Sequence, residues 1–371
     1  MKIVYIFRSV AVWGGIERIL VDKLNLLSLA DATEACLLTY DQGQHQSPYV
    51  IAEGVSVGDL GIRFHQRYRY RGLRRLAVSW RLSRLFRKRL RQWLQREQPD
   101  VIVCTTADPL ADIAAVKGST PLVVESHSVK EFTFGQRGRL YDYFLRRHLH
   151  LATTIVSLTD GDAARWREDY ADVRVIPNMV SLNDSGSYST QRERHVVFVG
   201  RMDYQKRVMS MVAIWQRVFP SHQDWTLDIY GDGDDRKAVE AAALRLHMNI
   251  VVHDPTDNIF EVYRHSSILA LTSLFEPFGL VMPEAMSCGV PVVAYDSYGP
   301  REIVTDGVDG FIVGNGDEAS FASRLSELMS DESLRLEMGR AAIASSRRYS
   351  ADRVMPLWLD LFSELTTLRE Q

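Results

Sequence analysis

Four consecutive apolar residues, Ile268 to Leu271, are followed by a loop carrying Pro277 and Gly279, a short helical segment from about Leu280 to Cys288, and a second strand from Val290 to Tyr295. An apolar run of that length bounded by turn residues reads as a strand buried on both faces. Two such strands joined through a helix belong to a parallel sheet. Gly289 stands where a helix end favours positive φ, and Pro291 keeps the helix from continuing. Asp296 ends the second strand, and a glycine turn follows at Gly299. In open sheets of this kind ligands sit at the carboxyl ends of the strands. Glu276 and Glu284, placed around that loop, are therefore the first candidate site residues.

The same alternation runs through the whole chain. Strands are expected at Ile3–Phe7, Ala35–Thr39, within Gly54–Leu60, and at Val101–Cys104, Pro121–Val124, Thr154–Leu158 and Val173–Ile176. Asn183 to Arg194 is polar and lacks hydrophobic periodicity, which marks a boundary. Strand–helix alternation restarts at His195 and continues to the strand Gly310–Val313 and the helices after it. At 371 residues the chain exceeds one ordinary core. The expected fold class is α/β, with two doubly wound Rossmann-like domains facing a cleft. The N-terminal domain is placed at residues 1–187 and the C-terminal domain at 188–351, with a last helix, about 352–371, packing back on the first.

Composition excludes several classes. No run is long enough to cross a bilayer, and the apolar N-terminal stretch is interrupted by Arg8, as suits a first strand rather than a leader. The three cysteines, Cys36, Cys104 and Cys288, are scattered and point to neither a disulfide framework nor a zinc site. The expected compartment is the cytoplasm. Charge is unevenly spread: between Arg63 and Arg96 there are 13 basic residues and no acidic one. Arg63, Arg67, Arg69 and Arg71 alternate with Phe64, Tyr68 and Tyr70 in what reads as a loop, and Arg74 and Arg75 open a helix running from Leu73 to Gln98. A charge run is usually a solvated face. This one also suits an anionic membrane surface or an acceptor that carries a diphosphate.

Candidate binding groups cluster at strand ends. Gly14 and Gly15 lie between the first strand and a helix N-terminus, where a ligand phosphate can approach the backbone; a tight turn without a ligand is equally compatible. After the strand His195–Val199 come Gly200, Arg201 and Lys206, two cations placed to converge on an anion, or simply to be solvated. Gly231 lies in a glycine turn after the strand Thr226–Tyr230. The backbone N–H groups of Phe278, Gly279 and Leu280 open the helix of the central stretch and can meet phosphate or sugar oxygens. Glu276 can accept hydrogen bonds from sugar hydroxyls, and Glu284 suits the paired hydroxyls of a ribose.

Taken together, GGIER, GRMDYQKR, EPFGLVMPEAMSCGVPVVAYD and GPREIV resemble the family 4 glycosyltransferases of GT-B fold, in order and over nearly the whole chain. The resemblance implies retaining transfer from a nucleotide sugar, a UDP-sugar in the expected case, with no metal and no further cofactor. It implies that Glu276 reads the donor sugar and Glu284 the ribose, that Arg201 and Lys206 hold the diphosphate, and that Gly15 belongs to the N-terminal glycine loop. It places His127, after the strand Pro121–Val124, near the reacting sugar and the acceptor. Two departures stand out. The loop His253-Asp254-Pro255-Thr256, near the base, lacks a glycine common in the family, and Glu276 is followed by Pro277 where glycine is usual.

The expected acceptor is a glycan or lipid-linked hydroxyl in cell-surface polysaccharide or glycolipid synthesis. The enzyme would then be peripheral on the inner face of the membrane, with Arg63, Arg67, Arg69, Arg71, Arg74 and Arg75 at the surface or the acceptor. The alternatives are a nucleotide-sugar epimerase or phosphorylase of the same fold, or a non-catalytic protein whose basic segment binds nucleic acid or membrane. The cleft motifs argue against nucleic acid as a partner.

Overall fold

The computed structural model describes residues 1–105, 109–134 and 138–370, with side chains as far as 367. The last residue of the expected C-terminal helix, at 371, lies outside the described residues. The chain forms two compact units, Met1–Met179 with everything from Val354 onward, and Val180–Arg353.

Among the described residues, the first unit contains strands β1 (Lys2–Phe7), β2 (Glu34–Thr39), β3 (Val55–Asp59), β4 (Val101–Cys104), β5 (Leu122–Glu125), β6 (Thr154–Ser157) and β7 (Val173–Val175). They make one parallel sheet in the order β3-β2-β1-β4-β5-β6-β7. Its helices are α1 (Gly15–Leu27), α2 (Gly72–Glu97), α3 (Leu110–Ala114), α4 (Lys130–Thr133), α5 (Arg139–Leu149) and α6 (Asp160–Arg167). Strand alternation divides the core: Val4 and Ile6 pack with Phe86, Leu90 and Trp93 of α2, whereas Ile3, Tyr5 and Phe7 pack with Leu20, Leu24 and Leu27 of α1. Trp358, Leu361, Phe362 and Leu365 of the C-terminal helix join this second core at helical spacing.

The second unit repeats the plan with β8 (His195–Val199), β9 (Thr226–Tyr230), β10 (Ile250–His253), β11 (Ile268–Leu271), β12 (Val292–Tyr295) and β13 (Gly310–Val313), in the order β10-β9-β8-β11-β12-β13. The helices are α7 (Val208–Val218), α8 (Arg236–Leu246), α9 (Ile259–Arg264), α10 (Val281–Ser287), α11 (Tyr298–Ile303), α12 (Glu318–Ser330) and α13 (Glu332–Ser346). The C-terminal helix, α14, covers Ala351–Glu370. In each sheet the strand order reverses beside the first strand of the unit: β1 lies between β2 and β4, and β8 between β9 and β11. The Gly14-Gly15 loop follows β1 and the Gly200 loop follows β8, so both leave the sheet at the switch point where ligands bind in such folds.

Two local expectations change. Phe64–Arg69 is a 3-10 helix rather than a loop, because Phe64 packs against the rings of Tyr40 and Phe86. Gly299 lies inside α11 and is not a turn residue. Its missing Cβ is what lets α11 rest on the Phe278 carbonyl, which that atom would approach to 2.1 Å.

Candidate active site

In the second unit the loop after β8 and the loop after β11 are laced together. Gln205 donates its side-chain amide to the Phe275 carbonyl at 3.2 Å, and the Leu274 amide donates to the Gln205 carbonyl at 2.7 Å. Thr272 donates its hydroxyl to the Lys206 and Arg207 carbonyls. This lacing brings together two candidate residues 70 positions apart: Lys206 donates to the Glu276 carboxylate. Ser273 donates to the same carboxylate oxygen at 3.2 Å, and Ser297 accepts from the Glu276 amide at 3.1 Å. The side chains of Lys206 and Glu276 are 14% and 8% exposed, so the pair is mostly shielded yet reachable.

The glycines around this pair are there for backbone approach. A Cβ on Gly231 would lie 1.9 Å from the Gly200 carbonyl oxygen, and the Gly200 amide donates to the Tyr230 carbonyl. Gly279, at φ +93°, turns the chain over Glu276, and a Cβ there would meet the Glu276 side chain at 2.9 Å. Phe278 is buried against Tyr349, which fixes the loop from beneath. Glu284 is buried in the first turn of α10.

Arg201 is not brought to Lys206. Its guanidinium is exposed and pairs inside its own loop, with Asp203 at 3.2 Å and Gln205 at 3.3 Å. Asp254 is exposed and pairs with Arg236 at 2.9 Å, and Arg236 also donates to the Gly231 carbonyl. Arg236, Ser273 and Ser297 were not expected from the motifs, nor was the stacking of Tyr230 on His253, with ring centroids 4.2 Å apart, although both stand at loops that the sequence marks. The signal that could have found Ser273 and Ser297 is their position, each at the end of a central strand.

The first unit holds a different arrangement. Gly14 caps α1, and its amide and carbonyl are both bonded by the Tyr49 hydroxyl at 2.9 Å. His127 follows β5 and lies 3.3 Å, Nε2 to Oε1, from Glu125. Glu125 is 1% exposed and pairs with Lys23 of α1, itself 2% exposed, whose ammonium lies 3.9 Å over the Trp358 ring. Burial alone would push the Glu125 carboxyl up, but Lys23 and His127 hold it down at about 2. Its second oxygen and the Tyr5 hydroxyl are buried without a hydrogen-bond partner among the described residues. Sequence reading missed Glu125 and Lys23 because each looks like an ordinary strand end and helix cation.

The basic candidates surround the 3-10 helix and the start of α2. Arg67 lies against Phe64 and Tyr68, and Arg75 also covers Tyr68, with each guanidinium 5.0 Å from the Tyr68 ring centre. Among the described residues, no group of three or more His, Cys, Asp or Glu is placed to hold a metal, and no helix is long and apolar enough to cross a membrane.

Residues 14–179 match the family model described as Glycosyl transferase 4-like domain, and residues 184–345 that described as Glycosyl transferases group 1. A Campylobacter jejuni enzyme named as an undecaprenol-linked-glycan α-1,4-N-acetyl-D-galactosaminyltransferase is 25% identical over 98% of this chain and 99% of its own. The Erwinia amylovora amylovoran biosynthesis glycosyltransferase AmsD is 30% identical over 57% of this chain, which spans 63% of that relative's length. The crystal structure of Anabaena HepE in complex with UDP superposes with a TM-score of 0.76 over 98% of this chain and 100% of that one, at 20% identity, and so shares the fold. With both halves matched in order and the two parallel sheets in place, this chain belongs to the group 1 glycosyltransferases of GT-B fold, with a glycosyltransferase 4-like N-terminal domain.

Proposed function

We propose that this protein transfers a sugar, with retention of configuration, from a UDP-sugar to a hydroxyl of a glycan or lipid-linked acceptor in bacterial cell-surface polysaccharide synthesis. The observation that carries this reading is the Lys206–Glu276 pair with Ser273, assembled from two loops at the switch point of the second sheet. An ammonium there offsets the charge that grows on a departing diphosphate, and a carboxylate beside it accepts hydrogen bonds from the sugar. Glu284 takes the ribose hydroxyls, the open end of α10 at Phe278, Gly279 and Leu280 meets phosphate oxygens, and Gly14 and Gly15 complete the donor contacts. Arg201 joins Lys206 on the diphosphate once it leaves Asp203, and Asp254 lies near the base.

In the front-face reaction the bond from the anomeric carbon to the diphosphate oxygen breaks as the acceptor oxygen bonds to the same face. The acceptor proton passes to the departing diphosphate. His127 stands beside the reacting sugar. UDP is favoured as carrier because HepE, of the same fold, binds it. The C. jejuni relative acts, by its name, on an undecaprenol-linked glycan. That favours an acceptor on the inner face of the cytoplasmic membrane, with Arg63, Arg67, Arg69, Arg71, Arg74 and Arg75 toward the anionic surface.

Thermal stabilisation tests the donor half. UDP at 100 times its dissociation constant should stabilise the protein by about 2.7 kcal/mol. The absence of a shift with every nucleotide tried overturns the reading. Release of UDP from a UDP-sugar only when an acceptor is added separates transfer from epimerisation. Sugar phosphate formed with inorganic phosphate as acceptor identifies a phosphorylase.

A further inference from the structure

The surface least explained by packing lies on α2 and α5 of the first unit. The buried residues of α2 begin at Leu82; none of the ten before it, from Gly72 to Arg81, is buried. On that projecting segment Leu73, Leu76 and Trp80 recur at i, i+3 and i+7, forming a single stripe, and are 83%, 67% and 63% exposed. Val78 alone of this segment packs partly on the core, so the Leu73, Leu76 and Trp80 stripe is left uncovered. On α5, Leu145 and Leu149 face the core, while Leu140, Tyr143 and Phe144 form a second exposed stripe. A groove runs between the two helices, with Arg67, Arg75, Leu73 and Leu76 on one side and Tyr141 on the other. Arg67 Nε is buried there without a hydrogen-bond partner, and among the described residues neither Arg67 nor Arg75 makes a salt bridge.

We infer that the start of α2 and the outer face of α5 are two footings that insert into an anionic lipid bilayer, with Arg67 and Arg75 holding a lipid phosphate in the groove between them. Charge selects this occupant. The segment from Arg63 to Arg96 has no acidic residue to meet a basic partner, and its cations flank apolar and aromatic side chains of the kind that settle at a membrane interface. The inference rests on the proposed membrane-borne acceptor and extends its contact surface from the basic residues to Leu73, Leu76, Trp80, Leu140, Tyr143 and Phe144.

The test is co-sedimentation of the full chain with phosphatidylcholine vesicles, with and without phosphatidylglycerol, read together with the emission of Trp80. The protein should bind only the anionic vesicles, with a blue shift that is lost in Trp80→Phe. Arg67→Gln with Arg75→Gln should weaken binding about 25-fold, roughly fivefold for each cation. Leu140→Ser, Tyr143→Ser and Phe144→Ser combined should release the protein from vesicles while the melting temperature and its UDP shift stay as in the wild type. Failure of the UDP shift in all proteins counts against the transferase reading alone. Vesicle binding by the α5 variant at wild-type strength overturns the bilayer footing, as does equal binding to neutral vesicles or none at all. A wild-type dimer that the same variant dissolves also overturns it, because a second copy would then be the cover.

Discussion

Each sheet carries a lysine–glutamate pair at a strand end, and the two differ in access. Lys23 and Glu125 of the first unit are 2% and 1% exposed, with Trp358 over the ammonium. Lys206 and Glu276 of the second unit are 14% and 8% exposed and sit between loops whose backbones are tied together. Taking two charges out of water costs several kcal/mol for each ion, and only good geometry repays it. A sealed pair cannot trade its partner for a ligand, so its work is structural: it fixes the end of β5 and, through Glu125, the His127 ring. An accessible pair can exchange partners. When a diphosphate arrives, Lys206 can turn to it and Glu276 can turn to the sugar without either charge being stranded. The same two residue types thus serve as a fastening in one sheet and as a binding device in the other.

The largest effect should come from opening the fastening. Lys23→Met leaves Glu125 charged and buried without its cation, at an expected cost of about 3–5 kcal/mol in urea unfolding. Adding Glu125→Leu should recover most of that loss, and failure to recover it would mean that Lys23 acts through packing on Trp358 instead. The sign with pH follows from the depressed carboxyl. Glu125 contributes stability above its ordinary value of 4.5, and that stability is lost as pH falls toward about 2. The double variant should therefore lose this part of the acid dependence.

At the accessible pair the effect should fall on turnover. Lys206→Ala or Glu276→Ala should lower the rate of UDP-sugar consumption by about 100- to 1,000-fold. The melting temperature should change less than in Lys23→Met. Equal loss of stability at both pairs would erase the distinction drawn between them.

Next comes the backbone that frames the accessible pair. Gly231→Ala forces a Cβ to within 1.9 Å of the Gly200 carbonyl, which only backbone movement can relieve. About 1–3 kcal/mol of stability should be lost, with weaker UDP binding. Gly43→Ala serves as the control for a positive-φ glycine with open space, since nothing lies within 4 Å of its Cβ position.

These pairs show what sequence could and could not convey. The central strands were legible because they are short apolar runs buried on both faces, whereas the edge strands β3 and β10 are mostly unburied; β8 and β9 fall where expected, residue for residue. The helix α6 was missed. Its eight residues, DGDAARWR, carry almost no apolar stripe, although Thr159 caps it by accepting from the Asp162 amide. The motif residues Lys206 and Glu276 were found, but their meeting depends on Thr272 and Ser273, which carry no motif, and on Gln205, which lies in the GRMDYQKR motif without a role read from it. Lys23 and Glu125 were invisible as a pair because burial of a charge is decided by tertiary packing, here by Tyr5 and Trp358. Arg201 is the reverse case: its motif position is clear, yet its side chain is 71% exposed and turned to Asp203. Arg201 must first leave Asp203 to reach the diphosphate, so Arg201→Ala should cost turnover about tenfold, roughly 1.4 kcal/mol and less than Lys206→Ala. No loss at all would show that Arg201 stays with Asp203 and that Lys206 alone serves the diphosphate.

The smallest effect should appear in the pH dependence of the second unit. Asp228 is buried on β9 and accepts from His195 at 2.6 Å and His253 at 2.7 Å. Burial pushes its carboxyl up, but the two imidazoles bring it below its ordinary value of 3.8. The hydrogen bond to Asp228 raises His195 above 6.5, and hydrogen bonds to Glu193 and Glu261 do the same for His265. A group raised in this way contributes stability that is complete below 6.5 and lost as pH climbs through its folded value. The melting temperature should thus decline slightly on the alkaline side of 6.5. Both imidazoles are substantially exposed, at 41% and 59%, so solvent screening keeps the decline small. Asp228→Asn should flatten the part due to His195 and leave that of His265, whose partners are untouched. A decline unchanged in Asp228→Asn would assign it to His265 with Glu193 and Glu261 rather than to His195 and this shared carboxylate.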